Sequence, residues 1–368
     1  MDYPAQRRSR LLPLLDSEGI DALLVSSAVN VTYLTGFSGD SSMLVLTRDR
    51  AVLISDMRYT QQIADECSGL EVEIRPPTRK LHEAVSEVIR GVGAKGIGFE
   101  SNALTVAEFE AFREQLPEHN WKGARDRVEK LRMVKDPSEI ARIRDAIAIA
   151  ERAFTAFRSL LRLEDCEKDL CDALEGYVRR AGGQGTSFPP IVAVGERSAL
   201  PHAPPTGRTV GSGDLLLVDW GAIGGLYKSD LTRVLPTRTT GSSPGDRLVD
   251  IHAVVLRAQQ DAIRAVRAGI QAQEVDTVAR TVIAEAGYGD YFGHGLGHGI
   301  GLEIHEGPAI RPHSETVLEE GMIFTIEPGI YLPDWGGVRI EDDVLVTPEG
   351  CEVLTHIPRP LEALWVPG

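Results

Sequence analysis

The sequence predicts two domains, a smaller α/β domain over residues 1–130 followed by an α+β domain over residues 131–368. Three observations lead there. At about 100–200 residues per domain, 368 residues make two, each able to bury a core without disulfides or a structural metal. Short apolar runs alternate with helix-type spacing up to about residue 115, whereas the remainder brings long helices first and glycine-rich strands later. Between them, residues 117–130 are polar and charged, which places the boundary there.

The elements follow in order. Residues 22–25, 43–46 and 51–54 are apolar runs bounded by turn residues, hence strands, and 58–66, 79–89 and 106–115 carry helical spacing. In Asp136-Pro-Ser-Glu139 the aspartate can cap a helix, Pro137 can take its first position and Glu139 can close a capping box. Helices are therefore expected over 138–161 and 167–181. Strands at 191–194 and 215–220 come next. A low-complexity loop at 237–245, helices at 246–267 and 273–286, and a final antiparallel strand region complete the chain.

Composition narrows the function classes. With 54 acidic against 39 basic side chains, the formal charge is −15, and no basic footprint exists for capturing nucleic acid or an anionic membrane. Cys67, Cys166, Cys171 and Cys351 form no CxxC pair and are too sparse for a disulfide scaffold, so a reducing, cytoplasmic setting is expected. The apolar run at 11–15 is broken by Pro13 and too short for a signal-peptide core, and no run approaches the ~20 residues of a membrane helix.

Three segments carry chemistry. In Leu215–Leu235, two strand-like runs flank Gly224-Gly225; if those glycines form the turn, Asp219 faces Asp230. Opposed like charges about 5 Å apart are destabilising unless a cation sits between them, although two solvated surface aspartates are the plainer alternative. In YFGHGLGHGIGLEIHE, glycine at 293, 295, 297, 299 and 301 opposes a helix and favours an extended chain approached closely on its bare side. There His294 and His298 share a face but stand about 13 Å apart, so one can ligate while the other meets substrate. Incidental histidines in a glycine-rich loop are the alternative. In the third segment Glu327 and Glu341 project from apolar runs joined through Pro333–Gly337, and Arg339 offers either as an ion-pair partner. Taken together, four carboxylates and one imidazole suit two hard or borderline divalent ions sharing a bridging water, and the reaction class is metal-assisted hydrolysis.

VDWG…SDLTR, HGLGHGIGLEIHE, TIEPGIY and VRIEDDVLV resemble the motifs of the pita-bread metallopeptidases, in the Xaa-Pro aminopeptidase and prolidase branch. NVTYLTGFSG and DMRYTQQ resemble the creatinase-type N-terminal domain, and KDPSEIARIRDA resembles the entry to the catalytic domain. The resemblance implies that Asp219, Asp230, His298, Glu327 and Glu341 hold two metals, manganese first, cobalt or zinc otherwise, with Asp230 and Glu341 bridging. It implies that Glu327 is the acid/base and that His202, His294 and His305 are catalytic histidines on the substrate side, with Arg339 beside them. It also implies a proline-containing peptide substrate and a homodimer.

Some prolidases of this family place an arginine just after the His-Glu-x-Pro turn. Here His305-Glu-Gly-Pro308 is followed by Ala309, and Arg311 comes two residues late. The expectation is therefore an Xaa-Pro aminopeptidase releasing the N-terminal residue. A strict Xaa-Pro dipeptidase is the alternative, and a metal-free binding module is the remote one.

Overall fold

The computed structural model describes residues 2–16, 19–237 and 245–366, so most of the expected 237–245 loop lies outside the described residues. The chain divides into two compact units, Met1–Arg132 and Met133–Gly368.

The first unit is built on a six-stranded mixed sheet, in spatial order Glu71–Arg75, Ala51–Asp56, Met43–Thr47, Ala22–Val25, Gly96–Phe99, Asn120–Gly123. Ala22–Val25 is central and buried along its whole length, as a strand covered on both faces must be. Helix Leu81–Val92 turns Ala84, Val85 and Ile89 onto the sheet, and Val106–Gln115 begins at a capping box between Thr105 and Glu108. Residues 117–130 belong to the first unit. They hold the edge strand Asn120–Gly123, paired in parallel to Gly96–Phe99, and the start of helix Arg127–Met133. An edge strand needs only one apolar face, so its polar composition disguised it.

In the second unit, Asp136 caps helix Pro137–Leu160 by accepting hydrogen bonds from the amides of Ser138 and Glu139, while the Glu139 carboxylate accepts one from the Asp136 amide. A three-stranded antiparallel sheet runs Leu231–Pro236, Leu215–Trp220, Ile191–Val194. Its central strand alternates strictly. Leu215 and Leu217 join one apolar cluster with helices Asp246–Ala265 and Ala272–Glu285; Leu216, Val218 and Trp220 join the other with Pro137–Leu160 and Glu167–Arg180. Asp219 continues the row of Leu215 and Leu217, which sends a carboxylate into the space between layers.

Trp220 is fully buried, stacks on Phe154 at 4.1 Å between ring centroids, and donates its indole N–H to the Ala150 carbonyl at 3.0 Å. Trp220→Ala is expected to cost about 3–5 kcal/mol, measured by denaturant unfolding. A loss under 1 kcal/mol would show that this layer does not hold the sheet.

A five-stranded antiparallel sheet of Glu306–Ile310, Gly297–Gly299, Ile323–Ile326, Asp342–Val346 and Cys351–Val353, a small sheet of Tyr227–Lys228, Ala222–Gly224 and Gly185–Thr186, and the ribbon Gly329–Leu332 with Gly336–Arg339 complete the sheets of the unit. All four cysteines are free thiols. Among the described residues no helix is long and apolar enough to cross a membrane.

Candidate active site

The first pair of acids comes from the hairpin between Leu215–Trp220 and Leu231–Pro236. Its turn is Gly225-Leu226, with Gly224 paired to Tyr227, and the partner of Asp219 is Thr232. The expected turn at Gly224-Gly225, and the direct opposition of Asp219 to Asp230, are corrected accordingly. A tight two-residue turn needs positive φ at both central positions; Gly225 supplies +53° and Leu226 accepts +76°, its amide held by the Gln184 side chain at 2.9 Å. Gly224 is instead needed in the strand, where a Cβ would lie 3.0 Å from the backbone of Ala146. The partner of Asp219 moves by two positions, which preserves the face, so the two aspartates become diagonal neighbours.

The glycine-rich segment forms strand Gly297–Gly299 between Glu306–Ile310 and Ile323–Ile326. Neighbouring backbones press on its bare positions: a Cβ on Gly297 would stand 1.9 Å from the Thr325 carbonyl, and one on Gly299 2.0 Å from that of Gly307. The strand carries His298 toward the acids, with Nε2 3.6 Å from Asp230 and 3.5 Å from Glu327. Burial pushes this imidazole down to about 4, so it is neutral at physiological pH. Its Nδ1 lies 3.2 Å from the Gly299 carbonyl and must carry the proton there, which leaves the Nε2 lone pair facing the carboxylates.

His294 does not join this group. Its Nδ1 donates to the Gly295 carbonyl at 2.7 Å, and its Nε2 accepts from the Tyr331 hydroxyl at 2.9 Å. His305 stands edge-on to His298, with centroids 4.4 Å apart. His202 lies on an exposed turn, close enough to act electrostatically on Asp219, His294 and His305.

The second pair of acids comes from a long interrupted hairpin. Ile326 pairs with Asp342 and Gly329 with Arg339, so one register holds on both sides of a gap, and Glu327 and Glu341 face each other across it. Glu341 is tied to the first hairpin: its amide donates to the Thr232 carbonyl at 3.2 Å, and the Thr232 hydroxyl donates to its carboxylate at 2.6 Å. Arg339 is buried, and each of its guanidinium nitrogens is hydrogen-bonded. It donates to Asp219 at 2.6 Å, to the Tyr331 hydroxyl at 2.9 Å and to Thr232 Oγ1 at 3.1 Å. Thr232 and Tyr331 are site residues that the sequence reading passed over, though Thr232 stands two positions after Asp230 and Tyr331 closes TIEPGIY.

One guanidinium cannot balance four carboxylates. Burial first, then mutual repulsion, drives the carboxyls of Asp230 and Glu341 well above their usual range, and burial lifts Glu327 to about 8. Asp219 Oδ1 is buried with no hydrogen-bond partner. Ligand atoms of Asp230, His298 and Glu341 all lie within 4.8 Å of one another. Orphaned oxygen, clustered carboxylates and one neutral ring nitrogen fit hard or borderline divalent cations.

Fold and site together define a metal-dependent peptidase. Residues 141–348 match the model of metallopeptidase family M24, and residues 7–134 that of the creatinase/prolidase N-terminal domain. The chain is 36% identical over 357 residues to an Xaa-Pro dipeptidase of Pyrococcus furiosus, covering 97% of this chain and 99% of that protein. A solved Xaa-Pro dipeptidase from Bacillus anthracis superposes with a TM-score of 0.93 at 38% identity, over 97% of this chain and 99% of that one. An X-Pro aminopeptidase from Thermotoga maritima superposes with a TM-score of 0.89, also at 38% identity, over 96% and 99%. The chain belongs to metallopeptidase family M24, in its Xaa-Pro aminopeptidase and prolidase branch, with the pita-bread catalytic domain and creatinase-type N-terminal domain of that branch.

Proposed function

We propose that this protein is an Xaa-Pro dipeptidase, hydrolysing the bond before proline in a dipeptide. The observation that carries the reading is the convergence of Asp230, His298 and Glu341 within 4.8 Å, with Glu327 3.5 Å from His298. In this proposal Asp219, Asp230, His298, Glu327 and Glu341 hold two divalent ions, manganese first. When bound, the ions polarise the scissile carbonyl and make water acidic enough to attack at neutral pH.

The chain's own groups do the rest. Glu327 takes the proton of the attacking water and returns it to the proline nitrogen. His202 and His305 donate to the oxyanion from fixed positions. Arg339 holds Asp219 in place, and His294 fixes the hydroxyl of Tyr331. All three guanidinium nitrogens of Arg339 donate to neighbouring side chains, so its main task in this proposal is to position those groups.

The dipeptidase reading, preferred here over the aminopeptidase expected from the sequence, draws on relatives named for that activity across nearly their whole length. The aminopeptidase reading keeps support too, from the solved X-Pro aminopeptidase of Thermotoga maritima at the same 38% identity and from the sheet itself. Residue 309 pairs with His298 across the sheet, so its alanine sets a small, uncharged side chain beside the imidazole. Comparing Xaa-Pro with Xaa-Pro-Yaa substrates decides between them. The dipeptide is expected to be preferred by about tenfold or more in kcat/KM, the effect of one charge-assisted contact to its carboxylate. Equal or faster cleavage of the tripeptide would establish the aminopeptidase instead.

A further inference from the structure

Glu167, at the start of helix Glu167–Arg180, is a fully buried carboxylate that the reaction above does not use. Such a group at a helix start ordinarily caps its own helix. This one reaches outward. Its Oε1 accepts from the Val194 amide at 2.9 Å, its Oε2 from the Thr206 amide at 2.9 Å and hydroxyl at 2.6 Å, and both oxygens accept from Arg197 Nε at 3.1 and 2.9 Å. Arg197 in turn donates to the Pro204 carbonyl. A single carboxylate thus closes both ends of the 194–206 loop, and its ion-pair partner crosses the middle.

His202 rides on that loop. The loop is also seated on the ribbon that carries Arg339: the Gly337 amide donates to Ser198 Oγ at 2.7 Å, and a Cβ on Gly337 would stand 2.1 Å from the Ser198 carbonyl. Burying an ion pair contributes little net stability compared with apolar packing, so its value lies in fixing one conformation.

We infer that Glu167 and Arg197 are positioning residues for His202, clamping the 194–206 loop so that the imidazole is held at the reacting carbonyl. This rests on the substrate-side reading of His202.

The test is a double-mutant cycle of Glu167→Gln and His202→Ala in the manganese-loaded, full-length enzyme, reading kcat and KM on an Xaa-Pro dipeptide. Each single variant is expected to lose about tenfold or more in kcat/KM, and the double variant to fall within about twofold of His202→Ala. Multiplying losses would overturn the clamp while leaving His202 in its role. Wild-type turnover by His202→Ala would overturn the reading of His202 itself.

Glu167→Gln leaves the Arg197 charge unpaired, so Thr206→Val supplies a milder arm, expected to lose about threefold with His202 present and nothing further without it. An equal loss by Thr206→Val in both backgrounds overturns the clamp. Amide exchange provides a readout apart from turnover. Residues 195–206 are expected to exchange faster in Glu167→Gln while Leu215–Trp220 and Leu231–Pro236 keep their protection; uniform acceleration overturns the proposal.

Discussion

Glu327→Gln is expected to lower kcat by between 10² and 10⁴-fold while the protein remains folded, because it removes the proton acceptor and keeps the side-chain shape. The amide can still accept the hydroxyl hydrogen bond from Thr325, now 3.3 Å from the carboxylate. Rates on an Xaa-Pro substrate, with circular dichroism of the same sample, check this. Near-normal turnover would remove Glu327 from the reaction. A second consequence separates chemistry from stability. In chelator-treated protein the variant lacks a buried carboxyl held at about 8, so above neutral pH it should melt no lower than chelated wild type.

Removing the ions is expected to make stability fall steeply as pH rises. In the metal-free protein Glu327 is lifted from 4.5 to about 8, and Asp230 and Glu341 stand well above their ordinary values. Below the unfolded-state values, 3.8 for Asp230 and 4.5 for the two glutamates, both folded and unfolded chains hold these protons, and stability is fully present. As pH rises from there, the unfolded chain ionises freely while the folded chain must keep its protons or bury charge. Each unit of difference costs about 1.4 kcal/mol, and for Glu327 the loss is complete once its folded value near 8 is passed. Chelated protein should therefore melt progressively lower from pH 6 to pH 9, and added manganese should restore the melting temperature most at the alkaline end, where protons compete least. A chelated protein whose melting temperature is level over that range would contradict the buried acidic cluster.

The acidic members of the candidate site stood out because ionisable residues in apolar strand runs are conspicuous. Asp219 in LLLVDW, Glu327 in FTIEPG and Glu341 in VRIEDD break patterns that otherwise signal full burial, and such a break has few explanations besides pairing or a cation. The helices were legible for a similar reason: the capping box at Asp136 and Glu139 is local chemistry. Less legible were strands with weak patterns, such as Asn120–Gly123, and the register of the first hairpin. Two adjacent glycines looked like a turn, yet one was needed against Ala146, a residue some eighty positions earlier.

The sequence by itself determined the two-part architecture, most of the helices and strands, and which residue types would form the site, since propensity, capping and alternation act over a few positions. The tertiary structure alone decided who touches whom. It turned Arg339 onto Asp219, engaged both nitrogens of His294 with its surroundings, brought Thr232 between the two hairpins and sent Glu167 to the loop of His202. Those contacts join residues far apart in the chain, and local periodicity carries no term for distances that only packed layers fix.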